Sequence, residues 1–330
     1  MERAKVLIAG SICSVGFSGS RRQKTIKQTQ TISIMKRIFS WTTVTLSALA
    51  FAGCSAMNFG NQGAWHATEI ASQNGFAVPE CVVADGQGNV FVSNILPDND
   101  VYWGDDGMGF VSRLSVKGKV EEQYWLGGRE NSPIHSPKGM CILDGWLYLN
   151  DSTRLLRCKL DDPKSTLEVV LGKGSRFNDL ASDGRHLWVS DIKEGKVIRL
   201  DPLSREEMVI PAPSGVNGVT LRDGRLFAVS WTEHEIYELD PGGKEEPRPF
   251  GLATHFTNLD GIEVLDDGSF VVSDFKGNKV SLVSADEKTV RTLIEVESPA
   301  DIGIDRKRGL LYVPQFKKDK IIVYQLKKRP

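Results

Sequence analysis

Six stretches of this chain are variations on one pattern, in which an Asp-Gly turn precedes an apolar run that usually ends in Ser and then Asp or Asn. Neighbouring copies lie about 40 residues apart, a spacing typical of the blades of a β-propeller. The copies occupy residues 84–94, 143–151, 183–191, 223–231, 266–274 and 305–314. The sequence therefore predicts an all-β, six-bladed β-propeller, in which equivalent positions of the repeats form one ring around a central channel.

Each repeat has room for four short strands separated by Gly and Asp-Gly turns. In the fourth repeat they are predicted at residues 216–221, 225–230, 235–239 and 246–250. The sixth repeat ends too early to supply its outer strand. We predict that residues 65–70 provide that strand and close the ring, which removes an exposed sheet edge. Residues 65–330 then form one propeller domain.

The segment before the repeats has the composition of an export signal. A basic start at Met35 is followed by an apolar run, and residues 35–53 end just before Cys54, as in a lipoprotein-type signal peptide. A plain signal peptide or a membrane anchor helix is the alternative. We expect Cys54 to be lipidated, residues 54–64 to be a tether linker, and residues 1–34 to precede the true start of translation.

These features predict an exported protein that is held by its lipid at the bacterial cell envelope, at the outer membrane facing the periplasm. Residues 54–330 contain 33 Lys and Arg against 41 Asp and Glu, a net charge of −8. Such a surface disfavours nucleic acid, which requires clustered cations. The lysines near the C-terminus, Lys317 among them, are interpreted as a solvated edge.

Three cysteines remain in the predicted propeller, Cys81, Cys141 and Cys158. We expect them to be buried as small apolar residues, although one disulfide bridge is possible in an oxidising compartment. The sequence contains no cysteine–histidine zinc spacing, phosphate-binding loop or dinucleotide fingerprint.

The residues that open the six innermost strands define the predicted ring. They are Glu80, Lys138, Asn178, Asn217, Asp260 and Ala300. Four of the six carry side-chain oxygens, although Asp and Asn are depleted in strands. They could be turn residues that cap the backbone between blades. Alternatively, Glu80, Asn217 and Asp260 meet on the axis and bind a divalent cation. Oxygen ligands favour calcium first, with magnesium or zinc as alternatives, although zinc usually takes histidine or thiolate ligands.

This arrangement resembles the family of gluconolactonases, regucalcin (senescence marker protein) and luciferin-regenerating enzymes, over the whole predicted propeller. The most specific element is the Arg-Phe-Asn-Asp run at residues 176–179. The family places a metal-binding Glu in the first blade, an Asn before Gly in the fourth and an Asp before Gly in the fifth. Glu80, Asn217 and Asp260 occupy those blades in that order.

The resemblance implies a divalent-metal-dependent hydrolase of a cyclic ester, such as a sugar lactone, with Asp260 as the general base. It also implies that Arg176, Asn178 and Asp179 bind substrate. Lys138 departs from the family pattern: it could repel the metal, replace it by pairing with Glu80, or hold an anionic substrate. A non-catalytic, lipid-anchored propeller that binds a ligand or a protein is therefore the alternative function.

A long connection in the first repeat, residues 95–109, contains Tyr102 and Trp103 among several aspartates. It is interpreted either as a lid or specificity loop above the channel, or as an idle insertion. Equivalent loops of the other repeats are expected to bring six side chains to the same rim: Arg154, Lys193, Trp231, His234, Phe275 and Phe316.

Overall fold

Each repeat forms one antiparallel sheet of four strands, and the six sheets are the blades of a β-propeller. The computed structural model describes residues 65–96, 101–128 and 132–328. Strands are numbered in chain order. The first three blades consist of β2 (Pro79–Ala84), β3 (Asn89–Asn94), β4 (Phe110–Ser115) and β5 (Val120–Gly127); β6 (Pro137–Leu143), β7 (Trp146–Asp151), β8 (Arg154–Lys159) and β9 (Glu168–Leu171); and β10 (Phe177–Ser182), β11 (Leu187–Asp191), β12 (Lys196–Leu200) and β13 (Glu207–Pro211).

Blades four to six follow the same order from the channel outward, except that the last strand of blade six comes from the start of the fold. They consist of β14 (Val216–Arg222), β15 (Arg225–Ser230), β16 (Ile236–Leu239) and β17 (Arg248–Pro249); β18 (Leu259–Val264), β19 (Phe270–Asp274), β20 (Lys279–Val283) and β21 (Val290–Glu295); and β22 (Gly303–Asp305), β23 (Leu310–Gln315), β24 (Lys320–Lys328) and β1 (Trp65–Asn74).

The ring closes as the sequence predicts, because β1 pairs antiparallel with β24 as the outer strand of blade six. The pairing runs from Trp65 opposite Lys328 to Asn74 opposite Lys320, so β1 is longer than the predicted residues 65–70. The edge that blade six would otherwise expose is therefore covered by a strand from the other end of the domain.

The hydrophobic core lies between neighbouring blades. Where blades four and five meet, the rings of Phe227 and Phe270 lie 4.9 Å apart edge to face, and those of Phe250 and Phe270 lie 5.3 Å apart. Each sheet thus buries apolar side chains on both faces against the sheets beside it. Cys81, Cys141 and Cys158 are all free and buried, as expected for small apolar residues.

The fourth blade tests the predicted strands in detail. The bounds of the three inner strands match the predicted ones to within one residue: the first ends at Arg222, one residue later than predicted, and the third begins at Ile236, also one residue later. The outermost strand is reduced to Arg248–Pro249. Two prolines, Pro247 and Pro249, lie in this segment, and proline has no N–H to donate to a sheet.

Helical structure is slight among the described residues: one turn of α-helix, α1 (Pro163–Thr166), and short 3-10 turns at Ala253–His255 and Phe316–Lys318. Within the described ranges, no helix is long and apolar enough to cross a membrane. The predicted start at Met35, the signal peptide at 35–53, the lipid site at Cys54 and the linker at 54–64 lie outside the described residues, so they stay predictions.

Candidate functional site

A β-bulge recurs at the opening of the innermost strand in the first five blades. In blade one the register shifts between Pro79 and Val82, and in blade five it shifts between Leu259 and Ile262. The residue at the start of each bulge is the predicted ring residue. The five are Glu80, Lys138, Asn178, Asn217 and Asp260. A bulge turns a side chain away from the regular alternation of the strand, which explains how polar residues at a strand opening can face the channel.

The repeated Ser of the sequence pattern holds these bulges in place. The side-chain oxygen of Ser93 accepts a hydrogen bond from the N–H of Cys81 at 2.9 Å, and that of Ser190 accepts from Asp179 at 2.8 Å. In blade five, Ser273 accepts from Gly261 N–H at 2.7 Å. The backbone groups that the bulge removes from the ladder are thus satisfied from the neighbouring strand.

The acidic residue that follows this Ser caps the chain just before the innermost strand. Asp274 accepts hydrogen bonds from the N–H groups of Thr257 at 3.0 Å and Asn258 at 2.9 Å, while Asp191 accepts from Arg176 N–H at 3.1 Å. These buried carboxylates fix the approach of the chain to the ring. The repeated sequence pattern therefore encodes the support for the site rather than the site itself.

Five of the six ring residues, together with Arg176, line one cavity of about 540 Å³ at the end of the channel. Glu80, Lys138 and Asn217 are almost fully buried at its base, with 4%, 3% and 2% of their surface exposed. Ala300, the sixth ring position, is buried and is not among the residues that line the cavity. The structure thus brings Glu80, Asn217 and Asp260, the three residues that were predicted to bind a metal, to one cavity.

Asn217 and Asp260 are hydrogen-bonded to each other, whereas one oxygen of Glu80 has no hydrogen-bond partner. The side-chain Nδ2 of Asn217 donates a hydrogen bond to Oδ1 of Asp260 at 3.0 Å, across two neighbouring blades. The Oε2 atom of Glu80 is buried without a hydrogen-bond partner. Because an unsatisfied buried carboxylate oxygen is costly, this atom is suited to receive a cation or a donor group of a ligand.

Burial also changes the charge state of the two carboxyl groups. It raises the pKa of Asp260 to about 7, against the attraction of Lys138, and raises the pKa of Glu80 well above its ordinary value. The nearby charge of Asp260 raises the pKa of Glu80 further. Both carboxylates would therefore be stabilised as anions by an additional positive charge in the cavity.

Lys138 lies in the same ring, where burial lowers its pKa to about 8 although Glu80 and Asp260 attract the charged form. Its Nζ lies 4.5 Å from the centre of the Trp103 ring, and the guanidinium of Arg176 lies 5.6 Å from the same ring. Trp103 thus covers both cations with its aromatic face, an arrangement that stabilises positive charge away from water.

The long connection of blade one is fastened over this cavity, and Tyr102 and Trp103 form part of its lining. Ser152 donates from its hydroxyl to the carbonyl of Trp103 at 2.9 Å, and Ser136 donates to the carbonyl of Gly104 at 2.9 Å. These contacts favour the lid or specificity loop over the idle insertion. Residues 97–100 of this connection, including Asp98 and Asp100, lie outside the described residues.

Asp179 does not line this cavity. Its carboxylate accepts hydrogen bonds from the N–H groups of Leu180 and Val219, each at 2.6 Å, and lines a second cavity of about 290 Å³ below the ring, together with Asp301. Burial raises the pKa of both acids. Asn178 lines the upper cavity and Asp179 lines the second one, so the bulge between Phe177 and Leu180 directs their side chains to different cavities. The predicted contact of Asp179 with substrate therefore has no geometric support in the upper cavity.

The rim prediction holds for four of its six residues: Lys193, Trp231, Phe275 and Phe316 line the cavity. The other two do not. Arg154 forms an ion pair with Asp151 and donates to the carbonyl of Pro133 at 2.9 Å, and the Nδ1 atom of His234 is buried without a partner. Lys317, which the sequence placed at a solvated edge, lines the cavity mouth. Its position directly after Phe316 was the signal that could have shown this.

The donor set fits a hard divalent cation in kind, since it offers two carboxylates and an amide oxygen. Among the described residues there is no group of three or more His, Cys, Asp or Glu side chains placed to hold a metal ion. The ring therefore offers a metal the two carboxylates of Glu80 and Asp260, with the amide oxygen of Asn217 as a third ligand.

Comparison with known proteins supports the fold. No protein-family model matches the chain, and no curated protein matches it either. Solved structures do. A gluconolactonase-like protein is 19% identical with a TM-score of 0.60, covering 83% of this chain and 97% of its own. A protein of unknown function from Bacteroides thetaiotaomicron is 16% identical with a TM-score of 0.59, covering 81% and 77%.

Virginiamycin B lyase from Staphylococcus aureus, in a catalytically inactive form with quinupristin, is also similar. It is 17% identical with a TM-score of 0.55, covering 79% of this chain and 99% of its own. At these identities the comparisons show a shared propeller fold, in agreement with the family resemblance of the sequence. Two of the three similar proteins carry the names of enzymes.

Proposed function

We propose that this protein hydrolyses a cyclic ester, of the lactone class, in the cavity at the end of the channel. The observation that carries the proposal is the convergence of Glu80, Asn217 and Asp260, in which Asn217 is hydrogen-bonded to Asp260 and one oxygen of Glu80 is buried without a partner. Three residues far apart in the sequence share one cavity with cations and aromatic rings. A pocket with a few convergent polar groups and perturbed pKa values is typical of an active site.

We propose that Glu80, Asn217 and Asp260 hold a divalent cation, calcium first, with magnesium or zinc as alternatives. When bound, such an ion polarises an ester carbonyl and stabilises the negative charge that develops on its oxygen. The two positive charges of the cation would also offset the cost of burying Glu80 and Asp260 as anions. Burial raises the pKa values of both residues, so each anion is costly without a partner.

The chain's own residues supply the remaining chemistry. Asp260, which a bound cation would hold in its anionic form, is suited to accept a proton from an attacking water. The water oxygen bonds to the ester carbonyl carbon, the ring C–O bond breaks, and the departing oxygen takes up the proton, so the product is a hydroxy acid. Arg176, Asn178 and Lys138 line the same cavity and are positioned to hold substrate oxygens.

The similar enzymes support this proposal only in general terms. A gluconolactonase-like protein and a virginiamycin B lyase share the propeller fold, and the names of both describe enzymes. A fold can host many activities, so the residues of the site carry the proposal.

The second candidate is a non-catalytic propeller that binds a ligand or a protein partner. Lys138 favours it, because both Glu80 and Asp260 attract its buried ammonium group, which could neutralise them without a metal ion. In this case the cavity would bind an anionic or polar ligand without turning it over.

One experiment separates the two candidates. The metal content of the purified protein is measured, and a panel of lactones is then tested with and without a chelator. We expect about one bound divalent cation per chain and hydrolysis that the chelator abolishes and added cation restores, as for an oxygen-ligand site. Asp260→Asn and Glu80→Gln should lose hydrolysis, whereas Glu263→Gln, outside the cavity, should retain it. Hydrolysis that survives in Asp260→Asn would refute the proposal.

We also propose that Cys54 carries the lipid that anchors the protein at the outer membrane, facing the periplasm. The support is the signal-like sequence before it. Cys54→Ala should release the protein from the membrane fraction and remove the lipid from its N-terminal peptide in mass spectrometry. Membrane association that is unchanged in Cys54→Ala would contradict this proposal.

A further inference from the structure

Four aromatic side chains form a continuous surface along one side of the cavity, which we call the aromatic wall: Tyr102, Phe316, Phe275 and Trp231. Their ring centres lie 5.2 Å apart from Tyr102 to Phe316, 5.4 Å from Phe316 to Phe275, and 5.3 Å from Phe275 to Trp231. All four line the cavity. The wall is assembled from blades one, six, five and four, each contributing the residues that follow its second strand.

Positive charge faces the same cavity from blades two, three and six. Lys138 of blade two and Arg176 of blade three lie beneath Trp103, and Lys193 of blade three also lines the cavity. The N–H of Ile192 donates to the carbonyl of Arg176 at 3.0 Å, so Arg176 and Lys193 leave the chain at neighbouring points. Lys317 adds a fourth cation, with its Nζ 5.6 Å from the ring centre of Phe275.

The charges of the lining therefore do not balance. Among the described residues that line the cavity, four side chains are cationic and two, Glu80 and Asp260, are acidic. A bound divalent cation would make the cavity more positive still. A neutral sugar can stack the C–H face of its ring on an aromatic side chain, but it carries no charge that this excess of positive charge would attract.

A planar ring gains from stacking on aromatic side chains, and an anionic group gains from a guanidinium with a lysine beside it. We propose that the substrate is a small ester or lactone that carries a planar, unsaturated or aromatic ring and an anionic group. The ring lies on the aromatic wall, and the anion is bound by Arg176 and Lys193. This inference rests on the proposed function for the reaction, and it adds the class of substrate.

Matched probes separate the two features in binding. Naphthoate has both, naphthamide has the ring without the charge, and cyclohexanecarboxylate has the charge without a planar ring. Isothermal titration calorimetry with the full protein should show that naphthoate binds about tenfold more tightly than naphthamide or cyclohexanecarboxylate. Arg176→Gln should remove the preference over naphthamide, and Trp231→Leu should remove the preference over cyclohexanecarboxylate. Equal affinities for the three probes would overturn the inference.

Turnover is tested with phthalide carboxylate, phthalide carboxamide and gluconolactone. We expect the carboxylate to have the highest kcat/KM and Lys193→Gln to lower it, mainly through KM, because Lys193 is one of the two cations proposed to bind the anion. The matched control is Lys318→Gln, because Lys318 is absent from the cavity lining and instead pairs with Glu297 at 3.1 Å. Faster turnover of gluconolactone would overturn the inference and leave the proposed hydrolysis standing. Selective naphthoate binding without turnover of any lactone would support the ligand class and refute the hydrolysis.

Discussion

Asn217 donates its side-chain N–H to Asp260 at 3.0 Å, and this bond joins the innermost strands of blades four and five directly beneath the cavity. The amide nitrogen is used on the neighbouring carboxylate, which leaves the amide oxygen as an acceptor. The bond also fixes the orientation of Asp260, whose pKa it lowers against the larger effect of burial.

Asn217→Ala should therefore weaken calcium binding about 10- to 100-fold, because it removes one ligand and the group that orients another. Titration calorimetry with calcium measures the effect. The control is Thr232→Ala, because Thr232 lines the cavity but is not a ring residue. The calcium affinity of this variant should match that of the wild type. An unchanged affinity in Asn217→Ala would remove Asn217 from the proposed site.

The pH dependence of cation binding follows from the raised pKa of Asp260. Below about 7 its carboxyl group is protonated, and a cation must displace the proton, so calcium affinity should rise as the pH rises from about 5 to about 8. Glu80, whose pKa is also raised, acts in the same direction. Titrations at several pH values measure this slope, which should be shallower in Asp260→Asn. A flat profile in the wild type would contradict the prediction.

The same pKa shift predicts the stability of the protein without added metal. The folded state binds the Asp260 proton more tightly than the unfolded state, so this contribution is full below about pH 4 and is lost as the pH rises through about 7. The difference in Tm between wild type and Asp260→Asn, measured with chelator, should therefore move in favour of Asp260→Asn as the pH rises. A difference that is independent of pH would refute the assignment.

Lys138 distinguishes the two candidate functions. If a cation binds at the ring, Lys138→Met should raise its affinity, because the substitution removes a buried positive charge that Glu80 and Asp260 attract. If Lys138 itself neutralises the carboxylates, Lys138→Met should lower the free energy of unfolding, and calcium should not restore it. Denaturant unfolding with and without calcium measures both outcomes.

The sequence was sufficient to predict the propeller, its closure by β1 and the ring positions, because strand patterns and turns repeat at a fixed spacing. It did not show that Asp179 lines the second cavity, below the ring, because the sequence does not reveal in which direction each side chain of a bulge points. Glycine follows Lys138 and Asp260 because a side chain at that position would collide with an acidic residue of the next blade. A Cβ at Gly139 would lie 2.5 Å from Oδ1 of Asp179, and one at Gly261 would lie 2.5 Å from Oδ1 of Asp301.

The aromatic wall was predicted only in part. Trp231, Phe275 and Phe316 were expected at the rim because they follow the second strands of their blades. Their mutual contacts depend on how far each loop leans over the channel, which no local pattern encodes. Lys317 was missed although it directly follows Phe316, and the 3-10 turn at Phe316–Lys318 places it at the cavity mouth.

The close approach of blades six and one depends on Gly303. A Cβ at this position would lie 2.0 Å from the carbonyl oxygen of Val82, which belongs to the backbone of β2 and cannot rotate away. Gly303→Ala should lower the free energy of unfolding by about 3 kcal/mol, since the two innermost strands must separate. Gly172→Ala is the matched control, because its Cβ would meet only a side-chain carbon of Val169 at 3.7 Å. Chemical denaturation of both variants measures the difference, and equal stabilities would show that the contact between blades one and six is not tight.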